Sequence, residues 1–337
     1  MSRIFAPLAT VFGVLTILCL TLLVFGFPVV DSLKLMFEGA VGDKFGIHRT
    51  IVKSAPLIMV GIGIAIAWRG GVFNIGGEGQ LLVGVMLAAA VNQIAPDATQ
   101  LRFLLLAAAA VGGGLYAWVA AVLFVKRGVS IVISTILLNF IAMQAIAYVV
   151  RGPLQEATHS IPQTATLTQA VMFGKPDAQT DLHWGVLIAP IVALVVYLWL
   201  MKTPSGFRVR LVGSNDRAAR AAKINSASYQ TLALVLSGAI CGLAGGVEYV
   251  GVSGYAYEGF SPGWGFLGIP VALLGALHPI GVLFSGALFG ALVSGAKQLE
   301  TFGGASFSVI YVVQAAALLG YLALQRVKFS RHRTAEA

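Results

Sequence analysis

In a chain of 337 residues, hydrophobic side chains fill 58% of positions and charged ones only 10%, with a mean hydropathy of +0.88. A soluble domain carries about a quarter charged residues, so this composition excludes a water-facing globular surface and makes the bilayer the solvent. The net charge of +9, from 22 Lys and Arg against 13 Asp and Glu, lies in gaps between apolar runs, where it orients a membrane chain rather than binding nucleic acid.

The first apolar run, 5–27, follows a short basic start at Arg3 and is followed by Pro28 and Asp31 with no small-x-small cleavage site. It therefore reads as an uncleaved first helix rather than a signal peptide. Nine further runs follow, at about 50–68, 74–95, 101–125, 129–150, 184–201, 229–251, 264–277, 280–297 and 306–325. The expected fold is all-α: a single polytopic bundle of about ten spans over residues 1–337, each near the ~20 residues a crossing needs. The run at 264–277 is short for a crossing, which points to a broken or partly re-entrant helix.

Between the second and third runs lies Arg69–Gln80, with five glycines between Gly70 and Gly79. Each costs a helix about 1 kcal/mol relative to Ala. Non-helical backbone at membrane depth survives only where protein buries it or it lines a watery cavity. Two readings are open: a tight turn between helices at the membrane surface, or a broken helix beside a transport pathway. Phe73, Asn74, Glu78 and Gln80 are the candidate pathway residues there, because an acid in such a setting needs a partner or a job.

In the fifth run, Asn139 and Gln144 suit hydrogen bonds between helices or contact with a solute. A long polar segment follows at about 151–183, with Pro153, Pro162 and Pro176. After the next span, the segment at about 202–228 holds six basic residues and one acid, Asp216. Within it, Gly213 to Ile224 reads as a short helix with Ser214 or Asn215 as N-cap and Asp216 suited to the helix dipole. Ala218, Ala219 and Ala222 would give a smooth small face beside Arg217 and Arg220. A helix lying on lipid favours bulky Trp, Phe or Leu; alanines suit a groove on another protein.

In the run at 229–251, Glu248 is an acid among apolar residues and must either pair internally or face the pathway. Gly238, Gly242 and Gly246, like Gly286 and Gly290, recur at four-residue spacing, which lets helix backbones approach closely. The Gly263, Gly265, Gly268 spacing mimics a dinucleotide fingerprint but has no strand before it. There is no P-loop sequence, so any ATP must be bound by other subunits. The five histidines show no metal or protease spacing, and Cys19 and Cys241 both fall in apolar runs, which offers no disulfide framework. No catalytic centre, metal site or cofactor site is expected. With both termini placed in the cytoplasm, most Lys and Arg, including Lys126, Arg127 and the basic 202–228 segment, fall inside. The 151–183 segment is then external.

These segments together resemble the inner-membrane permeases of ABC importers in the branched-chain amino acid, simple sugar and nucleoside group, and most closely the nucleoside permeases. Asn74–Gln80 (NIGGEGQ) is similar to a motif of one of two paralogous permeases, the partner typically having Met in place of Gln. Thr203–Arg210 (TPSGFRVR), Gly213, Ser214, Asn215, Ala218 and Ala219 resemble the family's coupling loop. Ser261–Phe266 (SPGWGF), Val271–Gly275 (VALLG), His278–Gly281 (HPIG) and Arg151 to Pro153 match further family stretches. Lys223, Pro270 and Trp264 depart from it.

The resemblance implies a type II importer permease in the cell inner membrane, surrounded by lipid and paired with a paralogue. Cytoplasmic ABC ATPases would dock at Gly213 to Arg220, and an external lipoprotein would deliver a nucleoside. Trp264 joins the pathway candidates on the same ground. The alternatives are a simple-sugar permease and an ion-coupled carrier, for which Glu78 and Glu248 would supply the acids.

Overall fold

The computed structural model describes residues 19–94 and 100–304, with Thr16, Val312 and Ala315 as isolated positions. Most of the expected 5–27 run and nearly all of the 306–325 run lie outside the described residues. Among the described residues the regular structure is helical. Only two isolated antiparallel bridges occur, Gln155 with Thr164 and Gln163 with Tyr257.

The chain divides into two compact units, residues 1–50 with 289–337, and residues 51–288. In the first, helix α1 (Val29–Phe37) runs into a π-helical turn at Glu38–Gly42. Leu22 and Met36 share a small core there with Ala296 and Leu299. The Ser294 hydroxyl donates to the Gly39 carbonyl at 2.8 Å, and a Cβ at Gly295 would overlap the Met36 carbonyl.

Helix α2 (Lys44–Arg69) leads into the second unit, which holds α3 (Gly77–Ile94), α4 (Leu101–Arg127), α5 (Ile131–Val150) and α6 (Ile188–Lys202, preceded by a 3₁₀ turn at Trp184–Leu187). Two short helices follow, α7 (Pro204–Ser214) and α8 (Asp216–Ala221). Then come α9 (Ser226–Glu248, continued by a π-turn at Tyr249–Ser253), α10 (Trp264–Leu274) and α11 (Pro279–Gly303), which leads back into the first unit.

Among the described residues, six helical segments are long and apolar enough to cross a membrane: Lys44–Arg69, Leu101–Arg127, Ile131–Val150, Trp184–Lys202, Ser226–Ser253 and Pro279–Gly303. The short run expected at 264–277 is an apolar helix of 11 residues, a rise of about 16 Å, half of a ~30 Å hydrocarbon core.

The expected glycine contacts hold α3, α4 and α9 together. A Cβ on Gly113 of α4 would overlap the Gly238 carbonyl and lie 2.7 Å from the Gly242 Cα. One on Gly84 of α3 would lie 2.6 Å from the same Gly242 Cα. Removing side chains at these points lets three backbones touch, the way lipid-embedded helices gain packing without a hydrophobic drive. This tight wall is what the broken segments lean on.

Candidate functional site

The glycine-rich segment is an irregular stretch of backbone that doubles back on α2. Helix α2 ends at Arg69, and the chain turns at Gly71 (φ +77°), a conformation open to Gly at little cost. It then doubles back so that a Cβ on Gly77, the first residue of α3, would lie 3.3 Å from Val60. Val60 precedes Arg69 by nine residues, a helical rise of about 14 Å. The stretch between therefore climbs back along α2 without helical hydrogen bonds of its own.

Its polar groups are satisfied by side chains. Asn74 is fully buried; its Nδ2 donates to Gln80 Oε1 and to Ser237 Oγ of α9, each at 2.9 Å. Its Oδ1 accepts from the Gly76 amide at 2.8 Å and from Gln80 Nε2 at 3.0 Å. Asn139 of α5, also fully buried, accepts from the Gly79 amide at 2.8 Å and donates to the Ile75 carbonyl at 2.9 Å. Trp68 Nε1 donates to the Asn74 carbonyl at 3.2 Å, and Thr135 Oγ1 accepts from the Ile75 amide at 3.3 Å. Buried backbone that lacks helical partners must find others, and here three neighbouring elements supply them.

Glu78 joins two helix starts. It sits in the first turn of α3, is 2% exposed, and its Oε2 accepts from the Gly265 amide in the first turn of α10 at 2.6 Å. The Ser261 hydroxyl accepts from the Gly263 and Trp264 amides at 3.3 and 3.1 Å. Together these oxygens satisfy the opening amides of α10, which have no intrahelical acceptor. A carboxylate between two helix N-termini is also favoured by both dipoles. A Cβ on Gly265 would overlap the backbone of Glu78, so glycine is what admits this contact.

The far end of α10 is held by the same segment. After Gly275, Ala276 and Leu277 both take left-handed backbone (φ 54° each), which costs a non-glycine residue of order 1–2 kcal/mol. Arg69 Nε donates to the Leu277 carbonyl at 2.5 Å and Nη2 to the Ala276 carbonyl at 3.3 Å. Beside it, a Cβ on Gly213 of α7 would overlap the Arg69 carbonyl and lie 2.7 Å from the Gly71 amide.

Glu248 pairs within the chain. It is 5% exposed near the end of α9, and its Oε1 lies 3.6 Å from Lys53 Nζ of α2. That ammonium is also 5.5 Å from the ring centroid of buried Trp264, within the range of a cation–π contact. From Trp264 an aromatic series runs through Phe260 and Tyr257 to Tyr255, at centroid spacings of 6.5, 5.7 and 5.6 Å.

The 151–183 segment packs along this stretch. Its Thr164 amide donates to the Ala256 carbonyl at 2.9 Å and its Leu167 amide to the Gly254 carbonyl at 2.7 Å. Arg151 pairs with Glu258. His183 is buried, its ring stacked on Phe173 at 5.7 Å and lying where a Cβ on Gly251 would be. Burial first, and Lys175 second, lower its pKa to about 4, against a smaller opposing effect of Asp181.

The basic segment contains two helices where the sequence pointed to one. Pro204 opens α7, whose Thr203 cap accepts from the Gly206 amide at 3.2 Å. Asn215, one of the two expected caps, accepts from the Ala218 amide at 3.0 Å and starts α8; Ser214 instead ends α7 and donates to the Leu211 carbonyl. Asp216 accepts from Arg220 at 2.5 Å across one turn. Gly213, Ser214, Asn215, Arg217, Ala218 and Arg220 are exposed and Asp216 is half-buried, but Ala219 is fully buried in the chain's own packing. The exposed small face is thus Ala218, Ala221 and Ala222.

Of the pathway candidates, Asn74, Gln80 and Asn139 are buried together around the 74–79 backbone, Glu78 is buried against the start of α10, and Glu248 and Trp264 meet through Lys53. Phe73 stands apart, 53% exposed and edge-on to Trp68 at 5.2 Å. Gln144 lies on the exposed side of α5. Sequence reasoning missed Lys53, Ser237, Thr135 and the grip of Arg69. Only Lys53 carried a signal, being a charge seven residues before Val60 in an apolar run.

The sequence matches the family described as "Branched-chain amino acid transport system / permease component" over residues 46–322. It is 33% identical to the glucose ABC transporter permease protein TsgB13 of Haloferax volcanii, covering 93% of this chain and 85% of that one. It is 32% identical to the guanosine ABC transporter permease protein NupP of Bacillus subtilis, covering 98% and 96%. A second guanosine ABC transporter permease protein of that organism, NupQ, is 27% identical over 82% of this chain and 89% of its own. With six membrane-capable helices among the described residues, a match of that extent decides the matter: this chain belongs to the family of membrane permease components of ABC transport systems, proteins that pass a solute and change no bond.

Proposed function

We propose that this chain is one half of the membrane core of an ATP-driven nucleoside importer in the cell inner membrane, with both termini in the cytoplasm. A paralogous permease forms the other half, cytoplasmic ABC ATPases dock on the 202–228 segment, and an external lipoprotein presents the solute to the 151–183 side. The observation that carries this reading is α10. It is a half-length helix gripped at one end by Glu78 and at the other by Arg69, with the Arg69 end seated on the segment that resembles a coupling loop. A broken helix held this way can switch between two placements when its grip is pulled, and ATP-dependent docking biases that equilibrium through differential contacts.

Nucleosides are favoured because two of the relatives are named for guanosine, and because Tyr257, exposed at the outer part of the aromatic series, offers a flat face of the kind a purine stacks on. The Gln80 form of the motif resembles one member of a permease pair, and the NupP and NupQ relatives occur in one organism, which supports a heterodimer. Glucose is the second reading, on the strength of the TsgB13 relative.

The test is uptake of tritiated guanosine, and separately of radiolabelled glucose, by cells with and without this gene, with unlabelled adenosine, uridine or glucose as competitors of guanosine. Uptake is expected to fall on deletion and to be blocked by nucleosides but not by glucose. Intact guanosine uptake together with lost glucose uptake would replace the nucleoside reading with the sugar one.

A further inference from the structure

Three facts converge at Arg69. Its guanidinium is the hydrogen-bond donor to two consecutive carbonyls, Ala276 and Leu277, whose residues both sit in left-handed backbone. Its own carbonyl is in contact with the Gly213 Cα, closely enough that no side chain fits there. Between these two contacts Arg69 is the last residue of α2, a helix buried from Ser54 to Ala67. The residue therefore touches the 202–228 segment with its main chain and the end of α10 with its side chain.

We infer that Arg69 is a positioning residue that transmits displacement of the 202–228 segment to α10, acting as a latch on the strained Ala276–Leu277 turn. Two left-handed non-glycine residues in a row persist only when surroundings over-determine them; here the Ala276 and Leu277 amides bond to the Leu273 and Ala272 carbonyls at 2.9 Å each, and the forked guanidinium adds a grip from outside the turn on the two carbonyls. A planar fork holds both carbonyls at once, which a lysine ammonium, a single point charge, does not. When Gly213 moves, the Arg69 backbone moves with it, because glycine-to-carbonyl contact leaves no slack. The guanidinium then either drags the turn along or lets it go, and release lets Ala276 and Leu277 relax to ordinary backbone. Neutral packing would not be built on a strained turn, since an unstrained one would bind α10 more cheaply. The inference rests on the proposed coupling role of the 202–228 segment.

The experiment uses the whole importer, with its second permease and ATPases, in lipid nanodiscs on a Cys19→Ser, Cys241→Ala background. Spin labels are placed in pairs, Phe207 with Leu115 and Phe266 with Leu115; Phe207 is exposed on α7, off the 216–222 face, so its label leaves that face open. Distances are measured without nucleotide and after trapping with ATP and vanadate, which needs no transported solute. In the unmodified latch, trapping is expected to shift both distances. Arg69→Ala should keep the Phe207 shift and lose the Phe266 shift; Arg69→Lys should retain part of it, and it guards against misfolding of the alanine variant. Leu277→Gly should keep both shifts. The double variant Arg69→Ala, Leu277→Gly should stay uncoupled, because relieving strain does not restore grip. A Phe266 shift that survives Arg69→Ala, or that Leu277→Gly restores, overturns the latch. A Phe207 distance that does not move even with Arg69 intact overturns the coupling-segment reading on which the latch rests. A Phe207 shift with no Phe266 shift in that same protein overturns the latch alone.

Discussion

The 69–80 segment and the 202–228 segment look alike as sequence: each is a glycine-bearing polar interruption between apolar runs. In the structure they are opposites. In the first, the side-chain amides of Asn74 and Gln80 and the Glu78 carboxyl group are bonded inside the chain and buried, and Asn139 of α5 bonds the segment's backbone. In the second, Arg217, Ala218, Arg220 and Ala221 stand exposed on a six-residue helix too short to be stable by itself, with exposed Ala222 at its C-terminal cap. A polar break whose groups are consumed internally is a brace, and one whose face remains open awaits a partner. The same residue types therefore carry different work, and only the partners of each atom tell them apart.

Changes that strike the brace should cost stability, and the largest comes from Gly265→Ala. Its Cβ would overlap the Glu78 backbone, which no rotamer can relieve, so α10 should undock and the purified complex should lose cooperative thermal unfolding. Asn74→Ala comes next. It strands the Gln80 side-chain amide and the Gly76 amide in a buried site, at about 1–3 kcal/mol for each group left unsatisfied, and should be read as a lowered unfolding midpoint. Glu78→Gln keeps the side-chain length and an acceptor for the Gly265 amide, whereas Glu78→Ala leaves that amide unsatisfied, at about 1–3 kcal/mol. It should be milder than Glu78→Ala in the same assay. If Glu78→Ala instead unfolds normally and blocks only transport, the acid belongs to the pathway and the brace reading fails.

A pH effect sharpens the same contrast from the 151–183 side. The His183 pKa is lowered to about 4 from an ordinary 6.5, chiefly by burial, so the folded state disfavours its charged form. Its contribution to stability is complete above pH 6.5 and lost as pH falls through 4. Protection of the Phe173 and Leu167 amides, which bond to the Val250 and Gly254 carbonyls, taken relative to the intrinsic exchange rate at each pH, should fall across that window. His183→Phe should flatten the dependence. The smallest effect is Gln144→Ala, a change on the exposed side of α5 that should alter stability by no more than about 0.5 kcal/mol.

Much of the helical layout was legible before any coordinates. The runs at 101–125 and 129–150 became Leu101–Arg127 and Ile131–Val150, because apolar length and charged or polar ends mark such helices directly. The Asn215 cap and the broken helix after Gly263 were equally visible, since caps and short runs are local signals. The start of α2 was not: Lys44, His48 and Arg49 sit inside the helix, and charges there looked like a loop. The site was half legible. Glycine spacing gave away the break, but Asn74 meets Ser237 and Glu78 meets Gly265 across 163 and 187 residues of chain, and no local pattern encodes such a pairing. Ala219 shows the same limit, for a helix of alanines does not announce which of them faces inward.

The central claim is that the open face at 216–222 is where an ATPase drives this permease, and Ala218→Trp tests it most directly. Ala218 is exposed, so the substitution leaves the chain's own packing intact, while overfilling a fitted groove costs typically about 1–3 kcal/mol, roughly tenfold or more in affinity. The measurement is titration of the purified ATPase subunit onto the permease pair in nanodiscs, with ATP hydrolysis followed in the same samples. The account predicts an unchanged permease pair, ATPase binding weakened by at least about tenfold, and loss of transport-coupled hydrolysis. Unweakened ATPase binding with normal coupled hydrolysis would contradict it.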